Sequence, residues 1–238
     1  MDTLHIYDCG GDTVIIAGGV GTDNIEKSSA EIIKGAPMSV QAGFVRSTEI
    51  AIPRCECAGD FFSADCALCF GKYLGKKSEG SGSFQLSVSG IASPMSATLE
   101  AQNSLVRLSL AAKAQSDYTG TLPQIVFGGC AYYIATPEQA ESAEELLCSC
   151  AAVSPCKSTA LLVLQGDSVS PHFTQKGNCT TAFSAGSAAI ALAFYESETA
   201  RDFFEKTYHF PKGERRVEMK RYLSHAFDCE LTASVKDK

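Results

Sequence analysis

The chain has 238 residues, 45% hydrophobic and 20% charged, with a formal net charge of −7 and a pI near 5.1. This is globular composition, with length for one two-lobed domain or two domains of about 120 residues. An acidic chain without clustered Lys and Arg does not suit nucleic acid or an anionic membrane surface as a partner.

The densest cationic run, Lys212 to Arg221, is broken by Glu214 and Glu218 and reads as an exposed strand face. No stretch of about 18 apolar residues is present, so no transmembrane helix is expected. Met1-Asp2-Thr3-Leu4-His5 lacks the basic and apolar regions of a signal peptide, so the expected location is the cytoplasm. The eleven cysteines are odd in number and read as reduced thiols. In that compartment the glycosylation-like Asn178-Cys179-Thr180 carries no meaning.

Residues 3–18 read as two short strands joined by a glycine turn within Tyr7-Asp8-Cys9-Gly10-Gly11-Asp12. Gly18-Gly19-Val20-Gly21 ends the second strand; no Gly-Lys-Ser/Thr follows, so a flexible turn is expected rather than a phosphate loop. Thr22 or Asp23 can cap a helix running to Lys34, with Gly35 after its end. Ser39–Val45 and Thr48–Cys57 read as a strand pair. A helix over 63–76 follows, then strands near 83–90, 95–101 and 104–114. Polar Gln115–Thr121 is the best boundary, giving lobes of 1–118 and 119–238.

The second lobe opens on an apolar strand over 124–134. Thr136-Pro137-Glu138 then starts a helix to Ala152, with a capping hydroxyl, a first-turn proline and an acid. Strands near 158–165 and 169–174 lead to a second apolar helix, Ser184 to Lys206, and strands over 214–222 and 226–235 close the chain. The expectation is a mixed α/β fold of two pseudo-symmetric lobes, each a sheet wrapped around a buried central helix.

Two stretches organise the chemistry: Ser63-Ala64-Asp65-Cys66-Ala67 and Ser184-Ala185-Gly186-Ser187-Ala188. Each opens an apolar, small-residue run of the kind that fills a core helix. The serines lie 184 − 63 = 121 positions apart, close to half the chain. Either serine alone reads equally well as an N-cap. As a pair they form matched helix starts whose unpaired N–H groups make anion sites. Proton-transfer groups on opposite sides of one small substrate, with two helix dipoles aimed at the developing carbanion, are the requirement for cofactor-independent racemisation.

Rival constellations are weaker. Cys55-x-Cys57 with Cys66-x-x-Cys69 could supply four zinc ligands, but Cys66 and Cys69 fall inside the apolar helix and the glycines of a zinc ribbon are missing, so buried thiols are the expectation. Cys148, Cys150 and Cys156 have no His nearby, and His5, His172, His209 and His225 show no metal spacing. Neither serine sits in the Gly-x-Ser-x-Gly elbow of a hydrolase.

The run from Ser63 to Leu74 resembles, without a gap, the diaminopimelate epimerase motif Cys-Gly-Asn-Gly-Ala-Arg-Cys-Phe-Ala-Arg-Tyr-Val. Lys176-Gly177-Asn178 through Ala188 is similar to the second segment of that family, in which Arg-Gly leads to Cys-Gly-Ser-Gly. Tyr7–Ile16 is similar to its N-terminal Gly-Asn-Asp-Phe turn. Gln41–Thr48 and Ala58–Phe62 look closer to one branch, the histidine racemase of opine-type metallophore pathways.

The resemblance implies an isomerase lineage without a cofactor or metal, acting at the α-carbon of a small amino acid, with a homodimer compatible. It puts Ser63 and Ser184 at the two catalytic cysteine positions. Gly10, Gly11, Ala64, Asp65, Tyr132, Ala185 and Gly186 are its candidate substrate-binding residues. The chain departs from the family at the reacting atoms. A thiol begins near a pKa of about 8.5, whereas a serine hydroxyl begins far higher and needs an adjacent base. Asp65 also puts an acid where the family has an amide. A silenced racemase, a divergent serine enzyme and a non-catalytic paralogue that binds a small molecule or partner all remain open at this point.

Overall fold

The computed structural model describes residues 3–18, 40–47, 52–57, 61–77, 82–100, 104–175, 183–199, 203–222 and 224–238. The expected helix over 22–34 and the whole Lys176–Ala182 segment lie outside the described residues.

Strand β1 (Thr3–Cys9) turns through Gly10 and Gly11, at φ +51° and +92°, into β2 (Asp12–Gly18). Both positions need positive φ, which glycine adopts without a Cβ penalty. β3 (Val40–Ser47), β4 (Arg54–Cys57), β5 (Gly82–Val88), β6 (Met95–Glu100) and β7 (Leu105–Lys113) follow in spatial order. The last strand, β15 (Ala226–Asp237), pairs with both β7 and β1, so β1–β7 and β15 form a closed ring of strands. Helix α1 (Ala64–Lys77) crosses from β4 to β5 and packs against the strands of that ring. Its sequence has no polar stripe to face water, and it is buried from Ala64 to Leu74.

The second sheet continues from β15 through β14 (Gly213–Arg221), β13 (Phe204–Phe210), β12 (Ser168–Gln175), β11 (Ser158–Gln165), β10 (Cys130–Ala135), β9 (Gln124–Phe127) and β8 (Gln115–Asp117). It wraps α3 (Ala185–Glu196), whose residues Ala185–Phe194 are all buried. α2 (Ala143–Val153) lies outside, against β11 and β12. Pairing directions repeat between the halves: β2–β3 and β10–β11 are parallel, as are β4–β5 and β12–β13, and every other neighbouring pair from β1 to β7 and from β8 to β15 is antiparallel. Each helix thus bridges the same kind of parallel pair. The expected architecture, two sheets each wrapped around a buried helix, is present.

Several boundaries differ from expectation. The strand expected over 124–134 is a hairpin, because Gly128 and Gly129 adopt φ +57° and +86° and turn β9 back into β10. The helix expected from Thr136 starts as a single 3-10 turn, Pro137–Ala140, and becomes α-helical only at Ala143. α3 ends at Glu196 rather than Lys206, where the Ser197 N–H bonds back to Ala193 O and Tyr195 O. Phe204–Phe210 pairs with β14 as a strand instead, with Tyr208 and Phe210 buried.

The cationic run expected to be an exposed face is β14. Its Arg216 and Lys220 are exposed, but Arg215, Val217 and Met219 point inward, and Arg215 is 0% exposed. The strand's period of two sets this alternation, placing Arg215 on the same face as its apolar neighbours.

Candidate active site

The two helix starts meet at the junction of the sheets. Ser63 accepts from the Cys66 N–H at 3.1 Å, and Ser184 accepts from the Ser187 N–H at 3.3 Å. Both serines are therefore N-caps bonding the N3 amide, in matching geometry. They sit at first turns that cap each other: the Ser187 hydroxyl accepts from the Ala64 N–H at 2.9 Å and donates to Phe62 O at 2.9 Å. Tyr132, buried on β10, lies beside Ser187 and Cys130, and burial pushes its phenol far above the ordinary range.

Asp65, one residue into α1, lies across the start of α3. Its Oδ2 accepts from the Ser184 hydroxyl at 3.0 Å, the Gly186 N–H at 3.2 Å and Gln41 Nε2 at 3.2 Å. Its Oδ1 accepts from Arg215 Nε at 2.9 Å and faces the Cys9 thiol at 3.6 Å. A Cβ on Gly186 would stand 2.8 Å from Asp65 Oδ1, so the glycine leaves the room this carboxylate fills. The anion site expected at the α3 start thus holds a carboxylate from the chain itself.

Arg215 answers that charge from β14. Its Nη2 donates to Cys9 O at 2.7 Å and lies 3.5 Å from Asp12 Oδ2, while Nη1 donates to Glu214 O at 3.0 Å and Gly10 O at 3.4 Å. A Cβ on Gly10 would overlap the guanidinium, and one on Gly11 would overlap Lys212 O. The β1–β2 glycine turn is therefore packed against β14.

Burial alone would raise the Asp65 carboxyl, but Arg215, Gln41 and the Gly186 N–H hold it below the usual carboxylate range. Asp12 goes the other way: burial, with Asp65 nearby, pushes it up to about 6 against the pull of Arg215 and Lys212.

On the other side, the Ser63 hydroxyl donates to Gln41 Oε1, and Gln41 Nε2 donates to Asp65. One hydrogen-bonded route thus runs Ser63–Gln41–Asp65–Ser184. Ser63 and Ser184 are 3% and 2% exposed, and Asp65 is 0%. A groove of about 490 Å³ over β6, β7, β14 and β15 and another of about 610 Å³ beside Gly90, Gly128 and Tyr222 include none of the three.

The structure brings Ser63, Ala64, Asp65, Ser184, Ala185 and Gly186 together, with Tyr132 beside them at Ser187 and Gly10 linked through Arg215. Gly11 stands one step further off, against Lys212. The sequence reading missed Arg215, Gln41, Cys9 and Ser187. The inward alternation of Arg215 with Val217 and Met219, and of Gln41 with Gly43 and Val45, was the signal available. Among the described residues no group of three or more His, Cys, Asp or Glu side chains is arranged to hold a metal ion, and no helix is long and apolar enough to cross a membrane.

No protein-family model and no curated protein matches the chain. Solved structures do. A probable proline racemase from Agrobacterium radiobacter, with bound carbonate, aligns over 100% of this chain and 91% of its own at 13% identity and a TM-score of 0.68. A hydroxyproline epimerase from Agrobacterium vitis, with bound trans-4-hydroxy-L-proline, aligns over 100% and 90% at 11% identity and 0.67. A PhzF-family phenazine biosynthesis protein from Bacillus anthracis aligns over 98% and 96% at 14% identity and 0.66. The chain has the mixed α/β fold that these racemase, epimerase and phenazine-biosynthesis proteins share.

Proposed function

We propose that the chain comes from the cofactor-independent amino-acid racemase and epimerase lineage and is a non-catalytic paralogue, its two-base centre converted into an internal ion-pair lock. The observation that carries this reading is Asp65 seated at the α3 start, where a substrate carboxylate would have to bind. An incoming amino acid must displace a buried carboxylate that has five polar neighbours, one of them the Arg215 guanidinium. Removing a partner from such a buried pair costs about 3–5 kcal/mol.

The serines also lack a base. The Ser63 hydroxyl donates to an amide oxygen, which does not take up protons near neutral pH. The Ser184 hydroxyl donates to a carboxylate that Arg215 keeps ionised and therefore weakly basic. Binding of a small molecule or a partner protein on this scaffold is the activity left to it.

Proton NMR in D2O, following the α-proton of L-histidine, L-proline and trans-4-hydroxy-L-proline, tests the reading. With the chain as given, the α-signal persists. It also persists with Ser63→Cys and Ser184→Cys while Asp65 is kept. It decays when Asp65→Asn is added and circular dichroism shows the variant folded. Decay with the chain as given would make this a serine enzyme. No decay in the folded triple variant would remove it from the racemase lineage.

A further inference from the structure

Resting on the non-catalytic, ligand-binding reading above, we propose that the groove beside Gly90, Gly128 and Tyr222 binds a small monocarboxylic acid. The carboxylate sits on Lys113 and the alkyl or aryl body on the apolar walls. Four chain segments converge there: the β5–β6 turn, the end of β7, the β9–β10 turn and the β14–β15 turn. Their outward positions carry Ala92, Ala111, Ala112, Ala226 and Gly129, and the missing bulk leaves about 610 Å³. That is the size of a small-ligand cavity.

The groove is held open from beneath. A Cβ on Gly90 or Gly128 would stand 2.6 Å from Phe62, so both turns already rest on that side chain. Phe62 is fixed at both of its backbone groups: its N–H donates to Gly128 O at 2.6 Å, and its carbonyl accepts from the Ser187 hydroxyl. Phe227, on the wall, packs at 5.4 Å from Phe194 and 5.9 Å from Phe127. Walls that cannot collapse spare a ligand the cost of ordering them.

The charges select the ligand. Antiparallel pairing puts Lys113 opposite Ala226, and Asp228 opposite both Ala111 and Lys220 on the same face. Asp228 accepts from the Tyr222 hydroxyl, and Lys220 lies over the Tyr222 ring, 5.5 Å from its centroid. Lys113 is exposed and has no hydrogen bond or ion pair among the described residues. Two lysines against one carboxylate leave a positive charge to be answered beside apolar walls. The adjoining groove shares Ala111 and Asp228 but carries Glu218 and Glu230, so an anion is confined to the Lys113 end.

Amide NMR titration of the full chain with 3-phenylpropionate and with octanoate tests the site. One acid or both are expected to shift the amides of Lys113, Gly129 and Ala226 with a Kd of about 1 mM or below. Acetate, which lacks the body, leaves them in place. Removing the charge, with 3-phenylpropanamide or in Lys113→Met, weakens binding by about fivefold, and Lys113→Glu weakens it further. No shift from either acid at about 10 mM, an equal response to acetate, shifts centred on Ser63–Asp65, or unchanged affinity in Lys113→Met would each overturn the proposal. Exchange of an α-proton by the chain as given would remove the non-catalytic reading while leaving these shifts standing, so the two failures are distinct.

Discussion

Arg215 Nε stands 2.9 Å from Asp65 Oδ1, and neither side chain has any surface exposed to solvent. The two residues are 150 positions apart in the chain, one on the β14 strand and one in the first turn of α1. Their pairing locks the start of α1, the β1–β2 turn and β14 into one unit, because the guanidinium also reaches Cys9 O and Gly10 O.

A buried pair of this kind is worth most when one member is missing. Asp65→Asn leaves the guanidinium with only the longer contact to Asp12, 3.5 Å from Nη2, and Arg215→Met leaves the Asp65 carboxylate without a counter-charge. Each single change is expected to lower unfolding stability by about 3–5 kcal/mol. The double variant is expected to lose less than the sum, by about 2 kcal/mol or more, in urea titrations. Additivity within about 0.5 kcal/mol would show that the pair is not an energetic unit.

The Ser187 hydroxyl joins the two helix starts by accepting from one buried backbone group and donating to another. Ser187→Ala strands the Ala64 N–H and the Phe62 carbonyl together, since both chain segments are fully packed. The expected loss is about 2–3 kcal/mol by chemical denaturation. A loss under about 0.5 kcal/mol, the range of an ordinary surface change, would show that those groups find other partners.

Asp12 gives a pH dependence with a definite sign. Its carboxyl rises from the ordinary value near 3.8 to about 6 on folding, so the folded state binds the proton more tightly. That contribution is fully present below about pH 3.9 and is lost as pH rises through 6, amounting to about 2–3 kcal/mol. Asp65 runs oppositely: its lowered carboxyl stabilises the fold above about pH 3.9, and that stability is lost on acidification. Asp12→Asn keeps the Asp65 effect and removes only the first. Relative to the parent, it is therefore expected to gain about 2–3 kcal/mol between pH 4 and pH 8 in paired urea titrations. A constant difference across that window would place the Asp12 titration elsewhere.

Much of the architecture was legible from residue patterns. The glycine turn at Gly10-Gly11, the strands at 82–88, 95–100 and 105–113, and the core helix after Ser63 follow from period-two alternation, turn residues and unbroken apolar runs. The misses share a cause. Gly128-Gly129 lies inside an apolar run, so the turn it makes was hidden by the hydrophobicity on either side. Phe204–Phe210 follows an apolar helix closely, and only pairing with β14 makes it a strand.

By itself the sequence determined that two small-residue helix starts, at Ser63 and Ser184, lie half a chain apart and are capped by serine, because capping and helix burial are local consequences of residue type and order. The tertiary structure alone decided what fills the space between them. Whether Asp65 faces a substrate or another part of the chain depends on Arg215 arriving from β14 and on Gly186 having no side chain. A charge 150 residues away can be assigned as a partner only when the fold removes the water that would otherwise solvate both.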